Sequence, residues 1–542
     1  MIITEQKPFD KIKSMLEKFN KVFIIGCGEC ATLCQTGGED QVKEMKEKLK
    51  GLGKEVTGTA VPKTTCDKRI LRRDLKKFKE AIEAAQAILV MACGNGVQAV
   101  AEFTSKLVVP ALNTLFMGEI ERIGRFYERC RACGDCVLFE TGGVCPLTQC
   151  AKGLLNGPCG GYANGKCEVG GWVKDCAWVK IFNALKEQGR LDLFLKFRPP
   201  KDHRKWFASG PRELVWKERK EAKAEEREVW IPGERWPPKE TYSELMKKLK
   251  DGEFVITGEV EPVKTTRVDK VLEVCRTIKD YVVAVNVTDN PTAFAYLNTL
   301  TTCYYIEKEV GLETIYQITV RDRNRLAITS DLLAAGLLGI KNVLALSGDF
   351  ISVGDNPQAK PVYDIDSTQL VWLVRKIVDK GEDIAGNKID HPPKLHVGIA
   401  ANPNAEPLEP ELYKVLRKQK VGAEFIQTQC VYDIEVLKKF LDEARSIGIK
   451  LPVLVGVTPF KSLKMMEWMV KFVPGIKVPE EMQERLRKAR ERGKEAFREE
   501  NLEIFGELCK EIKKTPGVAG IHMMAVGFEE IIPSLLKRAG LA

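Results

Sequence analysis

Eight apolar, strand-like runs follow one another from residue 253 to near the end of the chain, each separated from the next by a stretch of helical periodicity. They are EFVITGE (253–259), YVVAVNV (281–287), TIYQITV (314–320), NVLALSG (342–348), KLHVGIA (394–400), AEFIQTQ (423–429), LPVLVGV (451–457) and GVAGIHMMA (517–525). A strand that is apolar on both faces must be covered on both sides, and helices alternating with parallel strands supply that cover. Eight such units in about 290 residues predict a (β/α)8 barrel over residues 246–542. A doubly wound open sheet is the other arrangement this alternation allows.

The first part of the chain follows another pattern. KVFIIG (21–26), VTGTAV (56–61), AILVMACG (87–94) and LVVPAL (107–112) read as strands, with amphipathic helices over 40–50 and 70–85. Residues 1–120 are therefore expected to form a small parallel-sheet α/β domain. Residues 121–197 are rich in Gly and Cys, with little periodicity before a helical pattern resumes at 177. Such a segment has little apolar surface to bury, and metal ligation would supply the missing folding energy. Residues 198–245 read as a linker, with Pro199-Pro200, Pro237-Pro238 and, over 212–228, a solvated helix of six basic and six acidic residues. The expected class is α/β: a small N-terminal parallel-sheet domain, a cysteine-rich metal-binding segment and a C-terminal TIM barrel.

Thirteen of the 17 cysteines lie in the first 176 residues. The opening MIITEQKPFDKIK lacks the apolar core of a signal peptide, and no 18-residue apolar run occurs, so the expectation is a cytoplasmic protein with no membrane insertion. In a reducing compartment, clustered thiols favour metal over disulfides. Cys27, Cys30, Cys34, Cys66 and Cys93 fall just beyond strands, where parallel sheets hold ligands, and give five candidates for one four-thiolate site. Cys130, Cys133 and Cys136, followed by Cys145-Pro146, approach the bacterial ferredoxin spacing of a [4Fe–4S] cluster, with Cys176 a rival to Cys145 as fourth ligand. Cys145, Cys150, Cys159 and Cys167 suggest a third site, for zinc or a further cluster. Cys275, Cys303, Cys430 and Cys509 are isolated and read as buried thiols. The net charge of +10 suits an acidic redox partner or an anionic substrate, and no basic stripe with interleaved aromatics speaks for nucleic acid.

Barrel enzymes carry their chemistry at the C-terminal ends of the strands. Those positions hold Glu259 and Glu261 (first strand), Asn286 (second), Thr319 and Arg321 (third), Ser347-Gly348-Asp349 (fourth), Asn402 (fifth), Gln427 and Gln429 (sixth) and Thr458-Pro459-Phe460 (seventh). Carboxyls, amides and one aromatic suit a flat heteroaromatic ligand, with a carboxyl as general acid or base. There is no P-loop, and four histidines in all leave no His-rich metal site.

Four short motifs resemble the methylenetetrahydrofolate reductase barrel, in order and each on the expected strand: TGEVEP (257–262), ALSGD (345–349), QTQCVYD (427–433) and TPFK (458–461). The resemblance implies that Glu259 protonates N10 of the folate and that Asp349 lies near flavin and pterin. It also implies that Gln429 binds the pterin, that Phe460 stacks on substrate and that Glu261 lies in the substrate site. Asn286, Gln317, Thr319, Ser347, Gly348, Asp349 and Asn402 would contact the cofactor, FMN being favoured over FAD. Ser347 stands where the family usually has arginine and Gln317 where it has histidine, and the fifth-strand Tyr and His positions are replaced within AANPNAEP (400–407). These departures weaken the case for direct NAD(P)H use.

Residues 1–200, through CGDCVLFETGGVCP, NGPCGG and CAW, resemble the cysteine-rich partner subunit of the acetogen-type reductases. That resemblance implies two [4Fe–4S] clusters, with zinc as an alternative metal. It further implies electrons from ferredoxin or a partner redox complex, a tetrahydrofolate-type substrate and a homo- or hetero-oligomer. The other readings are a zinc docking module on an NAD(P)H-dependent reductase and a folate- or corrinoid-dependent methyltransferase barrel, since a barrel alone does not determine function.

Overall fold

The computed structural model describes residues 1–206, 229–473 and 476–542, so the mixed-charge run at 212–228 lies outside the described residues. The chain divides into two compact units, Met1–Gly134 and Asp135–Ala542.

In the first unit the four expected strands form one parallel sheet. With β1 (Ile2–Gln6) preceding them, they are β2 (Lys21–Ile25), β3 (Glu55–Ala60), β4 (Ala87–Val90) and β5 (Leu107–Pro110), in the order β3-β2-β4-β5. Central β2 and β4 pair Val22 with Ala87 and Phe23 with Ile88, and both strands are buried. The helix Glu39–Gly51 packs Val42, Met45 and Leu49 into the same core. A second, antiparallel sheet of β1, β6 (Leu112–Arg122) and β7 (Arg125–Glu128) was not legible in the sequence. Most of β6 and β7 stays partly or fully exposed, which removes the apolar signal by which a strand is read.

In the second unit all eight expected runs are strands of a closed parallel barrel. They are β8 (Val255–Val260), β9 (Ala284–Val287), β10 (Thr314–Thr319), β11 (Asn342–Leu346), β12 (His396–Ala401), β13 (Phe425–Cys430), β14 (Val453–Val457) and β15 (Val518–Met523). Closure runs from β15 to β8 through Met523 opposite Gly258. The open-sheet alternative is thereby excluded. The bottom of the barrel is filled by Val255, Ala284, Ile315, Leu344, Phe425 and Leu454, against Leu245, Met246 and Leu249 of the helix Glu244–Lys250. Gly398 is required here: a Cβ at that position would lie 2.2 Å from the Phe425 ring. The Ser243 hydroxyl caps the bottom helix by accepting from the Met246 amide.

The expected cysteine-rich segment does not form a division of its own. From Asp135 it belongs to the barrel's unit. Its apolar core is built largely where the helical pattern was expected to resume, from residue 177. The helix Ala177–Glu187 buries Trp178, Ile181, Phe182 and Leu185, and Phe194 meets Trp178 and Phe182 edge to face at 5.6 and 5.2 Å. Tyr413, from the barrel helix Glu409–Lys420, joins at 5.5 Å from Phe182. Such ring pairs favour this geometry because the positive edge of one faces the negative face of the other. Buried Arg417 donates to the carbonyls of Phe194, Asn156 and Gly157. The described part of the expected linker is also packed on the barrel, with the Trp372 indole donating to the Trp230 carbonyl at 2.7 Å.

Candidate active site at the barrel mouth

Above the apolar bottom lies a polar layer. Asn286 and Gln427 exchange amide hydrogen bonds of 2.7 and 2.9 Å, and Gln427 also donates to Thr257, which is 3.0 Å from His522 Nδ1. Successive side chains alternate sides along a strand, so Thr257 and Glu259 share the inner face of β8, and Glu261 follows just beyond its end. One step above Thr257, Glu259 Oε2 accepts from Gln317 Nε2 at 2.9 Å and lies 3.5 Å from His522 Nε2. Glu259, Gln317 and His522 form the floor of a cavity of ≈ 350 Å³ at the C-terminal ends of the strands. That volume falls in the ~300–1,000 Å³ range of small-molecule sites.

The walls come from loops after the strands. Gly348 adopts φ +75°, and the following Asp349 carboxylate accepts from the Thr292 amide at 2.8 Å. Arg321 donates to the Asp349 carbonyl at 3.2 Å and is chelated by Asp322. Asp289 accepts from both the amide and the hydroxyl of Thr319 and pairs with Arg323 at 2.7 Å. Opposite, the Asn402 amide donates to Glu411, and the Asn402 side chain donates to Gly160 of the cysteine-rich segment at 3.2 Å. That segment contributes Lys152, Cys159, Gly160, Gly161 and Glu168 to the lining. Lys152 is buried with its Nζ 2.5 Å from Glu168 and 2.8 Å from the Gly348 carbonyl. Burial works against its charge, but Cys159 and Glu168 outweigh that and hold the ammonium's pKa well above the usual lysine value. Two lining residues, Thr288 and Glu411, each have a buried oxygen (Oγ1 and Oε2) with no hydrogen-bond partner in the protein. A buried polar atom of that kind is costly unless a ligand satisfies it.

Residues 244–540, more than half of the chain, match the family model described as methylenetetrahydrofolate reductase. The chain belongs to that family. A second model, described as methylene-tetrahydrofolate reductase C terminal, matches residues 109–204, which here precede the barrel. Methylenetetrahydrofolate reductase 1 of Schizosaccharomyces pombe is 24% identical over 244 residues, 44% of this chain and 37% of the relative. The probable methylenetetrahydrofolate reductase (NADH) of Oryza sativa subsp. japonica is 29% identical over 245 residues, covering 44% and 39%. The chain thus spans well under half the length of these relatives.

Within this reductase-family barrel, Glu259, Thr319, Ser347, Gly348, Asp349, Asn402 and Gln429, named from their strand-end positions, and Gln317, named from the family resemblance, line the cavity. Three expected site residues do not. Asn286 lies beneath the floor, consumed by its pairing with Gln427. Phe460 is fully buried, stacked on Tyr432 at 5.3 Å and edge-on to Phe505, because the apolar surround offers its ring more contact than the polar cavity. Glu261 is half-buried above Glu259 and outside the lining. Sequence reasoning missed Thr288, Asp289, Glu411, Lys414, His522 and the Lys152–Glu168 pair. Applying the strand-end rule to the eighth strand would have reached His522, and carrying it two residues past the second strand would have reached Asp289; no local signal marks Lys152.

Burial, followed by the neighbouring Glu259 and Glu529 carboxylates, pushes the Glu261 carboxyl up to about 7. A carboxyl with a folded pKa above its ordinary 4.5 costs no stability below 4.5, and the cost grows as pH rises toward 7. Glu261→Gln is therefore expected to raise Tm near pH 8 and leave it unchanged near pH 4, as read by thermal unfolding across pH. An unchanged Tm at both would show that Glu261 titrates normally.

One thiol group differs from that first expected. Cys150, Cys159, Cys167 and Cys176 line one narrow cavity of ≈ 20 Å³, so Cys176 replaces Cys145 in that set. Burial pushes the Cys150 and Cys159 thiols up and Cys176 to about 12, and nearby thiols of the same set add to each. Cys159 also lines the large cavity. In the first unit, the Cys66 thiol is pushed up by burial and then by Cys93, Cys27 and Cys30. Cys34 instead donates to the Ile2 carbonyl at 3.7 Å. Of the ferredoxin-like run, Cys130 and Cys133 belong to the first unit and Cys136 and Cys145 to the second. Among the described residues no three His, Cys, Asp or Glu side chains stand in an arrangement that would hold a metal ion. Cys275, Cys303, Cys430 and Cys509 are buried in the barrel, as expected. No described helix is long and apolar enough to cross a membrane.

Proposed function

We propose that this chain is a flavin-dependent reductase of 5,10-methylenetetrahydrofolate, forming 5-methyltetrahydrofolate, with electrons delivered through metal clusters on its N-terminal thiols. The observation that carries the reading is Glu259 at the cavity floor, held by Gln317 and adjacent to His522. Opening the imidazolidine ring of the folate requires a proton at N10, and a carboxyl within hydrogen-bond reach is the group to give it. Gln317 and His522 fix the carboxyl's direction, so that its proton points up into the cavity. Gln429, on the cavity wall, offers an amide to the pterin. The family resemblance gives Phe460 a stacking role, which would require its ring to leave the Tyr432 stack.

The orphaned Thr288 and Glu411 oxygens and the amide-rich walls fit a polar heteroaromatic cofactor. Gln317, Thr319, Ser347, Gly348, Asp349 and Asn402 would hold it. A bound flavin would supply hydride to the opened folate. The family to which the barrel belongs makes FAD the flavin to expect, in place of the FMN expected from the sequence.

Four thiols at the first unit's strand ends (Cys27, Cys30, Cys66, Cys93) and four beside the cavity (Cys150, Cys159, Cys167, Cys176) have the soft donor chemistry of iron–sulfur or zinc sites. The Cys130, Cys133 and Cys136 spacing resembles a ferredoxin run. Iron–sulfur clusters carry single electrons, so ferredoxin or a partner redox complex is the proposed donor.

The test is the iron, sulfide, zinc and flavin content of anaerobically purified protein. The proposal expects one flavin per chain and about eight irons, the content of two four-iron clusters. Zinc without iron would make the N-terminal part a docking module. Absence of flavin would contradict the reductase reading and bring the methyltransferase forward.

A further inference from the structure

The only cation that the cysteine-rich segment gives to the described cavity lining is Lys152. We propose that it is the electrostatic positioning residue of the flavin subsite: a positive charge brought from outside the barrel against the turn that carries Asp349. This rests on the reading of the cavity as a flavin site.

Three observations support it. First, the Lys152 ammonium donates to the Gly348 carbonyl at 2.8 Å across 196 residues of sequence, which fixes the peptide immediately before Asp349. Second, the side chain is 5% exposed, so its charge is little screened and acts on whatever occupies the cavity. Third, its partner packs closely on Gly161: a Cβ there would lie 1.9 Å from a Glu168 carboxylate oxygen, so a side chain at 161 would displace that carboxylate. Of the other lining cations, Arg321 is chelated by Asp322, and Lys414 is paired with the fully buried Glu411. Lys152 is opposed by a single carboxylate, which is itself 20% exposed.

A cation at this place favours the more negative, reduced form of a flavin, and Glu168 moderates that effect. The barrel would thus borrow part of its flavin potential from the segment that also carries the Cys150–Cys176 thiols. Removing the lysine and removing its counter-charge should then move the potential in opposite directions, which a role in packing alone would not do.

The experiment uses the full-length, flavin-loaded protein in an anaerobic redox titration of the flavin absorbance, with Lys152→Met, Lys152→Arg and Glu168→Gln. The expected result is a fall of about tenfold in the reduced-to-oxidised ratio at fixed poise for Lys152→Met, the scale of one charge-assisted contact. Lys152→Arg should restore the wild-type ratio, and Glu168→Gln should raise it. Wild-type ratios in both Lys152→Met and Glu168→Gln, or shifts in the same direction, would overturn the inference. If Lys152→Met fails to fold, the near-isosteric Glu168→Gln decides by itself: an unchanged or lowered ratio refutes the role. Wild-type protein that retains no flavin would refute the site reading and the inference with it.

Discussion

Glu259→Gln is expected to lower the formation of 5-methyltetrahydrofolate by ~10²–10⁴-fold, the contribution of a positioned general acid. Flavin content and chemical reduction of the flavin should stay at the wild-type level. The reason is geometric. Glutamine has nearly the same volume and can keep a hydrogen bond to Gln317, now 2.9 Å from the Glu259 carboxylate, so the floor of the cavity survives. What is lost is the proton for N10. Stopped-flow absorbance separates the two halves, since flavin reduction does not need that proton and reoxidation by folate does. A variant that turns over at the wild-type rate would move the acid role to another group, with Glu261, just beyond the end of β8 and neighbouring Glu259, the first candidate.

The second large effect is structural. Asp366 is the N-cap of the barrel helix Ser367–Arg375: one carboxylate oxygen accepts from the Thr368 and Gln369 amides, and the other from the amide and side chain of Asn156. All of these groups are buried. Asp366→Ala removes a cap, worth ~1 kcal/mol, and leaves buried donors unsatisfied at ~1–3 kcal/mol each before relaxation. The expected loss is on the order of 4 kcal/mol, because partners relax and the terms do not add fully. The consequence is local as well as global: the 154–160 loop loses its anchor beside the cavity, so flavin retention should fall together with Tm. Limited proteolysis checks it, with early cleavage near residue 156 expected in the variant. Wild-type Tm and cleavage pattern would mean that Arg198, Thr368 and Arg417 hold Asn156 without Asp366.

Much of the barrel was legible because its strands are nearly continuous apolar runs, a pattern that only a sheet covered on both faces requires. The strand-end rule then located Glu259, Thr319 and Asp349 without any knowledge of contacts, whereas Gln317 came only from the family resemblance. The rule failed at Asn286 and Phe460 for a reason it cannot contain. Asn286 lies one layer deeper and is consumed by Gln427, and Phe460 has Tyr432 and Phe505 as competing partners. The antiparallel β6 escaped because exposed strands carry no strong apolar pattern. The cysteines were legible as a class but not as sets: Cys176 joins Cys150, Cys159 and Cys167 through the chain path of a turn-rich segment, which spacing does not encode. Lys152 and Glu168 belong to the site only because a segment before the barrel packs over its mouth.

The most direct test of the central claim is a single-turnover experiment. Anaerobically reduced wild-type protein is mixed rapidly with 5,10-methylenetetrahydrofolate, and flavin absorbance and folate products are followed together. The account predicts reoxidation of the flavin with one 5-methyltetrahydrofolate formed per flavin, and loss of both signals in Glu259→Gln. A flavin that stays reduced in the wild-type protein in the presence of the folate would contradict it.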